Sequence, residues 1–219
     1  MLVANMKYRS SAETSFKILS LLLLVGECAQ YDMPKQIRKD YRTVLRHLRG
    51  LEKAQLICLA RTEPAKKGGK DKKIYTLTLL GFAVALSSYN IEPSNREIDE
   101  IIQKWRHLHP IFGRWQVLIT KVPRIEAYAT LAQTVDHFDA LWRLQSSLIS
   151  KNLEEQFSEV FLAPIFNPLS APLCSLEKWI TFIQEDEKLK TACRRKLEEQ
   201  IKKTREELKI QEDTLKKLT

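Results

Sequence analysis

Glycine is scarce in this sequence of 219 residues, and the short motifs that depend on glycine, cysteine or histidine are missing. Its six glycines form no Gly-rich phosphate loop, and its four cysteines form no CxxC pair. No apolar run approaches the roughly 18 residues that a membrane-spanning helix needs. These absences argue against a nucleotide-hydrolysing enzyme, a zinc site of paired cysteines and a membrane-spanning protein.

The cysteines are widely spaced and have no histidine nearby at metal-binding spacing. In a chain of this size, such cysteines are typical of reduced, buried thiols in a cytosolic protein. The residues concerned are Cys28, Cys58, Cys174 and Cys193.

Several histidines and aspartates in the second half of the chain raise the question of a metal site. His107 and His109 are two residues apart, which places them on different faces of a helix. The sequence also lacks the HExxH motif of zinc enzymes. We therefore expect no metal site, no cofactor and no enzyme activity from this set: His107, His109, Asp136, His137 and Asp139.

The apolar stretch Ile18–Val25 can be interpreted in two ways. A basic stretch precedes it, as in a secretion signal, but Glu27 occupies the place before the cysteine where a lipoprotein signal has a small residue. The alternative is a buried amphipathic helix with Ser11 or Thr14 as N-cap and Gly26 near its C-terminus. The cysteine pattern favours the helix and a cytoplasmic protein. Its expected inward residues are Leu19, Leu22 and Leu23.

The net charge of +9 lies entirely in the first 90 residues. Residues 1–90 contain 16 Lys or Arg and 7 Asp or Glu, whereas residues 91–219 contain 20 of each. A basic segment of this size indicates a polyanionic partner, most often nucleic acid. The alternative is a basic surface that serves solubility alone.

Two helices are predicted in the middle of this basic segment. Pro34 suits the first turn of a short helix, and Asp40 is a suitable N-cap for a second one. In the second helix, an apolar stripe repeats at i, i+4 and i+7 through Val44, Leu48 and Leu51. A different face carries Arg42, Arg46 and Arg49, with Thr43 and His47 beside them.

A hairpin and a further helix follow. Leu56–Arg61 and Lys72–Leu77 are predicted strands, and the residues between them contain a proline and a Gly-Gly pair, which favour a loop. This loop is rich in lysine. Thr78 is expected to cap the next helix, which continues through Phe82, Val84 and Leu86.

The order helix, helix, helix, strand, basic loop, strand, helix resembles the winged helix-turn-helix family over residues 12–90. "TVLRHLRGLEKAQLI" is similar to the family's recognition helix with the first wing strand, and "IYTLTLLGFAVAL" to the second wing strand with the following helix. In particular, these residues resemble the winged-helix transcription regulators of bacteria and archaea. The chain departs from them at Gln55, where a glycine usually permits a left-handed turn.

The resemblance implies a DNA-binding surface. The third helix would enter the major groove, with Arg42, Thr43 and Arg46 facing base edges and Arg49 on the same face. Lys35 and Gln36 would lie at the backbone or the groove edge. The wing would contact phosphates or the adjoining minor groove through Lys66, Lys67, Lys70, Lys72 and Lys73.

Residues 91–174 form a predicted helical module that resembles no family we can name. Ile98, Ile101 and Ile102 share one face of a helix, and Trp115–Val122 fits a short strand or the start of a helix. A long helix is predicted over Ala127–Leu148 and another over Asn152–Phe161. The aromatic residues are expected in the core and not in a ligand pocket: Trp105, Phe112, Trp115, Phe138 and Trp142.

The segment 175–219 contains neither proline nor glycine, and it predicts one long helix that begins after Ser175. Ile201, Leu208 and Leu215 repeat every seven residues, whereas the alternate heptad positions, which include Leu197, are only half apolar. This incomplete heptad fits a helix that joins two copies of the chain, or one that packs on another domain, better than an isolated coiled coil. A solvated tail helix is the alternative.

Together these features predict a mainly α-helical protein with an N-terminal winged helix, an all-helical module and a long C-terminal helix. The predicted function is that of a homodimeric, cytoplasmic regulator of transcription that binds double-stranded DNA. The alternative is a winged helix that serves protein–protein contact in a replication or transcription assembly.

Overall fold

The computed structural model describes residues 2–64, 71–89, 91–144, 149, 152–166 and 176–218, with the backbone alone at 2–12, 164–166 and 216–218. The first elements are α1 (Leu2–Val25), β1 (Glu27–Ala29), α2 (Met33–Ile37), α3 (Tyr41–Lys53), β2 (Ile57–Glu63), β3 (Lys72–Leu77) and α4 (Leu79–Leu86). The later elements are α5 (Arg96–Lys104), α6 (Pro110–Gly113), α7 (Trp115–Lys121), α8 (Arg124–Arg143), α9 (Leu153–Phe166), α10 (Leu176–Gln184) and α11 (Glu187–Leu218). The expectation of a mainly helical chain with a small antiparallel sheet and a long C-terminal helix is confirmed.

Helix α1 starts nine residues before Ser11, so the prediction of Ser11 or Thr14 as its N-cap was wrong. No proline or glycine interrupts the chain between residues 2 and 25, and nothing therefore stops the helix from extending. Its C-terminus agrees with the prediction, because Gly26 adopts a left-handed φ of 89°. The predicted inward residues are buried, each at most 1% exposed: Leu19, Leu22 and Leu23.

A strand that the sequence did not predict, β1, follows α1 immediately. It pairs with β3 in antiparallel orientation, with Cys28 opposite Tyr75, and the sheet has the order β1-β3-β2. Three residues are too few to show the alternation of apolar and polar side chains by which strands are recognised. The central strand β3 has the predicted bounds.

The boundary between α2 and α3 is a turn of three residues, 38–40. Arg38 adopts a left-handed φ of 54° and ends α2. Asp40 then caps α3 as predicted, since its carboxylate accepts a hydrogen bond of 2.8 Å from the backbone N–H of Thr43. Pro34 lies in the first turn of α2, also as predicted. The two helices are therefore separate elements.

At the other end of α3, Gln55 adopts the left-handed conformation that a glycine usually provides, with φ of 59°. The N–H of Leu56 donates to the carbonyl of Leu51 at 2.9 Å, and that of Gln55 donates to Glu52 at 3.0 Å. This pair of bonds is a Schellman motif. The left-handed turn is thus present although no glycine occupies it.

Helix α4 lies at the centre of the molecule. Thr78 caps it as predicted, accepting from the N–H of Gly81 at 3.0 Å, and every residue from Leu80 to Leu86 is buried. A Cβ atom on Gly81 would lie only 1.7 Å from the carbonyl oxygen of Leu56. The helix can therefore approach the start of β2 this closely only because residue 81 is glycine.

One hydrophobic core extends from α1 through α4 into the later helices. The indole of Trp105 donates to the carbonyl of Leu23 at 2.8 Å, and the ring of Phe16 meets Trp142 edge to face. The predicted boundary at residue 90 thus does not separate two cores. The predicted core aromatics are buried except Trp142, which is half-buried.

The middle helices follow the predicted pattern with shifted bounds. The isoleucine face of α5 is buried, and the segment at Trp115 forms a helix, α7, and not a strand. Helix α8 spans Arg124–Arg143, earlier at both ends than predicted. Asp99 holds α5, α7 and α8 together, because its carboxylate accepts from Trp115 at 2.7 Å and from Arg124 at 2.7 Å.

The prediction of a single C-terminal helix from Ser175 was wrong, because α10 and α11 are separated at Glu185 and Asp186. The carboxylate of Asp186 accepts 3.0 Å hydrogen bonds from the backbone N–H groups of Lys188 and Leu189. Asp186 is therefore the N-cap of a new helix. The residues around Asp186 include no proline or glycine, so nothing in the sequence indicated that one helix ends there and another begins.

Among the described residues, no helix combines the length and the apolar character that crossing a lipid bilayer requires.

Candidate nucleic-acid interface

Helix α3 presents a row of exposed arginines on the side opposite its buried stripe. Val44, Leu48 and Leu51 are between 0% and 4% exposed and pack into the core. The i, i+4 spacing of this stripe turns Arg42 and Arg46 outward, as predicted. We refer to Lys35, Arg38, Lys39, Arg42, Arg46, Arg49 and Lys53 as the basic face; all are exposed except the half-buried Lys39.

The cations of the basic face form no side-chain ion pairs with other residues that the structure describes. Only two acidic residues, Asp40 and Glu52, occur between residues 33 and 53. Asp40 is engaged in the cap of α3, and the hydrogen bonds from Thr43 hold its pKa below the usual range. The basic face thus concentrates positive charge that no described acidic residue neutralises in an ion pair.

Elsewhere in the molecule, cations are more often paired. Arg114 contacts Glu185 at 2.9 Å and Arg124 contacts Asp99 at 2.7 Å. Further pairs involve Lys121, Arg143, Lys188, Arg195 and Lys196. The contrast distinguishes the basic face from an ordinary charged surface, where opposite charges are interspersed.

His47 does not lie on the outward face with the arginines, contrary to the prediction. It is buried, and its Nδ1 atom lies 2.9 Å from the hydroxyl of Ser15 on α1. Burial lowers the pKa of His47, and the nearby charges of Arg46 and Lys39 lower it further. His47 therefore links α3 to α1. Because Ser15 lies far from His47 in the sequence, the local pattern of α3 did not predict this contact.

Two further predicted residues near α3 differ in their surroundings. Thr43 is half-buried and takes part in the cap of α3, so its hydrogen bonds are directed at Asp40. Gln36 is exposed, and its amide donates weakly to the sulfur of Cys28 at 3.8 Å. Of the predicted base-contact residues, Arg42 and Arg46 are the ones with freely exposed side chains.

The predicted wing is described only in part. Lys66, Lys67 and Lys70 lie outside the described residues, whereas Lys72 and Lys73 belong to β3. Lys72 contacts Asp32 at 3.2 Å, and Lys73 is exposed without an ion pair among the residues that the structure describes. Lys73 is therefore an exposed positive charge on the sheet.

Strand β2 is an edge strand whose residues from Cys58 to Thr62 are all exposed. The expectation that every cysteine is buried was therefore wrong for Cys58, although Cys28 is buried and Cys193 is half-buried. Partial burial still raises the pKa of the Cys58 thiol. Cys174 lies outside the part of the chain that the structure describes.

The prediction missed a pair of aromatic residues beside the basic face. The rings of Tyr31 and Tyr41 are stacked with centroids 5.3 Å apart and an angle of 5°, and both are exposed. Tyr41 is the first residue of α3, next to Arg42. In the sequence, only the position of Tyr41 beside the Asp40 cap pointed to this pair. Its partner Tyr31, in the β1–α2 turn, is brought next to it by the fold.

Among the histidines of the second half, His109 has a structural role. His109 is buried and caps α6 through Nδ1, which accepts from the N–H of Ile111 at 3.2 Å. Its Nε2 lies 3.0 Å from both Glu154 O and Ser158 Oγ. His107, Asp136 and His137 are exposed. Within the described ranges, no three His, Cys, Asp or Glu residues come together in a way that could hold a metal ion.

Helix α11 has an anchored part and a projecting part. Arg195 and Lys196 reach Glu159 on α9 at 2.8 Å and 3.3 Å. From residue 197 to 215 every side chain is exposed, and we refer to residues 197–218 as the distal arm. The predicted dimer residues lie here, with 42% to 65% of their surface exposed: Leu197, Ile201, Leu208 and Leu215.

The chain matches no protein-family model, no curated protein and no solved structure.

Proposed function

We propose that this protein is a DNA-binding regulator of transcription whose residues 12–90 form a winged helix. The element order from α1 to β3, the three-stranded sheet and the helix α4 that follows support this assignment. In this proposal α3 enters the major groove, which is wide enough for one helix. The hairpin of β2 and β3 is the wing and tracks the neighbouring backbone.

The observation that carries the proposal is the unneutralised charge of the basic face. An exposed, unpaired cation loses little when it meets a phosphate, because no protein ion pair has to break first. Release of counterions from DNA then drives the association. No acidic residue that the structure describes forms an ion pair with the exposed arginines of α3, which argues against the alternative of a winged helix for protein contact.

The proposal is tested by titrating duplex DNA against the full chain at several salt concentrations. We expect affinity to fall steeply with salt, and the triple variant Arg42→Gln, Arg46→Gln, Arg49→Gln to lower the log–log slope by up to about 2.7, the value reached if all three arginines neutralise phosphates at about 0.9 per contact.

The matched control removes the same charge from exposed cations elsewhere, with Arg96→Gln, Arg106→Gln and Lys178→Gln. These residues form no ion pairs within the described chain. The control should keep the wild-type slope. Equal losses in both variants, or no salt dependence in the wild type, would contradict the proposal and favour the protein-contact alternative.

Single variants should distinguish residues that read bases from residues that bind the DNA backbone. If Arg46 contacts a guanine through O6 and N7, Arg46→Ala lowers discrimination between target and random DNA by roughly 1–3 kcal/mol. Lys73→Ala should weaken binding to all sequences alike. The target itself comes from selection of bound sequences out of a random pool, and identical behaviour of the two variants would place α3 outside the groove.

The proposal includes a homodimer held through the distal arm. Two recognition helices presented to two half-sites double the contacts that one winged helix can make. Ile201, Leu208 and Leu215 would form the apolar seam. No other described segment combines such length with an exposed heptad repeat.

A further inference from the structure

We infer that the two distal arms pair antiparallel, with Leu208 of one copy opposite Gln211 of the second copy. This inference rests on the dimer proposed above and specifies its geometry. It follows from the apolar stripe of α11 and from the charges that flank this stripe.

The apolar stripe of α11 begins inside the molecule and continues beyond it. Leu189 is buried and Cys193 is half-buried where α11 packs against α9 and α10. At steps of three or four residues the same side of the helix then carries Leu197, Ile201 and, further along, Leu208 and Leu215, all exposed. This exposed surface continues the one through which α11 packs on α9 and α10, so another helix could pack against it.

The composition of the arm argues for a second arm as that helix. At the seam, Thr204 and Gln211 alternate with the apolar residues, so a partner helix of the same length with the same alternation can place an apolar residue opposite each of them. In the antiparallel register Leu215 lies opposite Thr204, and Leu208 opposite Gln211. These layers then each combine one leucine with one smaller or polar residue.

The flanking charges select this register. Arg205 and Glu212 lie beside the seam, and neither forms an ion pair within the described residues. With Leu208 opposite Gln211, Arg205 of each copy faces Glu212 of the other, which gives two opposite-charge contacts. Charges beside a coiled-coil seam are the groups that set helix orientation.

The competing arrangements bring like charges together. In a parallel pair, Glu207 of each copy would face Glu212 of the other. An antiparallel shift of one heptad would set Arg205 against Arg205, or Glu212 against Glu212 in the opposite direction. Like charges beside the seam destabilise such pairs. The chosen register is thus the arrangement in which the flanking charges attract.

The orientation determines where the two globular parts lie. The two-fold axis crosses the arms between residues 209 and 210, so the two Leu197 residues are about 40 Å apart along the arms at 1.5 Å per residue. Each globular part therefore lies at its own end of the paired arms. A parallel dimer would instead place the two parts side by side.

Cross-linking of the full chain tests the orientation, in a Cys58→Ser background because Cys58 is exposed. A Thr204→Cys chain mixed with a differently tagged Leu215→Cys chain should form a mixed disulfide under mild oxidation. Ile201→Cys alone should not cross-link to itself, since the two copies of residue 201 would be about 25 Å apart. The background chain without added cysteine is the control.

A charge exchange provides a second readout in sedimentation. Arg205→Glu and Glu212→Arg should each weaken the dimer roughly tenfold, and the double variant should restore it. Self-cross-linking of Ile201→Cys, or no rescue in the double variant, would overturn the antiparallel register while the dimer stands. A wild-type monomer at tens of micromolar would overturn both, and the salt titration of the basic face would be unaffected.

Discussion

Gln55 shows that a single residue can hold a turn at the cost of local strain. Its φ of 59° belongs to the left-handed region, where a side chain with a Cβ atom is disfavoured by about 1 kcal/mol relative to glycine. The Schellman hydrogen bonds and the burial of Leu56 outweigh this cost. A substitution that removes this strain should therefore stabilise the protein.

We predict that Gln55→Gly raises the free energy of unfolding by about 0.5–1 kcal/mol, because glycine adopts this conformation without strain. Denaturant titration followed by circular dichroism measures the change. Gln133→Gly, in the exposed middle of α8, is the control and should lower stability by about 1 kcal/mol. Destabilisation by both substitutions would contradict the strained turn.

His109 makes stability depend on pH. Burial lowers the pKa of this imidazole to about 4, from an ordinary value of 6.5 in the unfolded chain. Between these two values the unfolded state binds a proton that the folded state does not, so stability falls as the pH falls from 6.5 to 4. The loss reaches about 3 kcal/mol at the acid end and is absent above pH 6.5.

The measurement is the free energy of unfolding at pH 7 and pH 4.5 for the wild type and for His109→Gln. The variant should lose less stability on acidification than the wild type, because its amide does not titrate. His137→Gln, at an exposed histidine, should retain the wild-type dependence. Equal pH dependence of all three proteins would show that His109 is not the responsible group.

Among the elements, those with strong local signals were predicted and those fixed by distant contacts were not. The caps at Asp40 and Thr78 and the bounds of β3 follow from neighbouring residues alone. Strand β1 depends on pairing with β3, more than 40 residues away, and the break at Asp186 depends on a capping geometry that the helix-forming sequence around it conceals.

The candidate site shows the same division. The outward placement of Arg42, Arg46 and Arg49 follows from the helical period of the apolar stripe. The burial of His47 depends on Ser15, and the stacking of Tyr41 depends on Tyr31, so neither was visible from the pattern of α3.

The contact between α4 and β2 is the tightest approach between elements described above. We predict that Gly81→Ala lowers the free energy of unfolding by about 2–3 kcal/mol, because the added methyl group would overlap the Leu56 backbone and force α4 away from the strand. Thermal unfolding checks this. Gly50→Ala should do the opposite, since a Cβ there meets nothing within 4 Å and alanine favours the helix.

At the scale of the whole molecule, the proposed function depends on the assembly of two copies into a dimer. We predict that the wild type is a dimer and that Ile201→Glu with Leu208→Glu splits it, because four carboxylates would be buried along an apolar seam without partners. Light scattering or sedimentation measures the mass. Ile125→Glu, at an exposed isoleucine of α8, is the control and should leave the dimer intact.

A double variant that remains dimeric would remove the distal arm as the main contact. These masses must be measured on the full chain. Residues 1–90 alone would expose the face of α4 that α8 covers.

Because α4 is enclosed on all sides, its backbone amides can exchange hydrogen for deuterium only when the entire molecule opens. The amides of the distal arm are protected by helical hydrogen bonds alone and exchange whenever that helix frays. Deuterium uptake followed over time would therefore separate the chain into a slow interior and a fast arm. Uptake in the arm would slow as protein concentration rises, whereas uptake in α4 would keep its much slower rate.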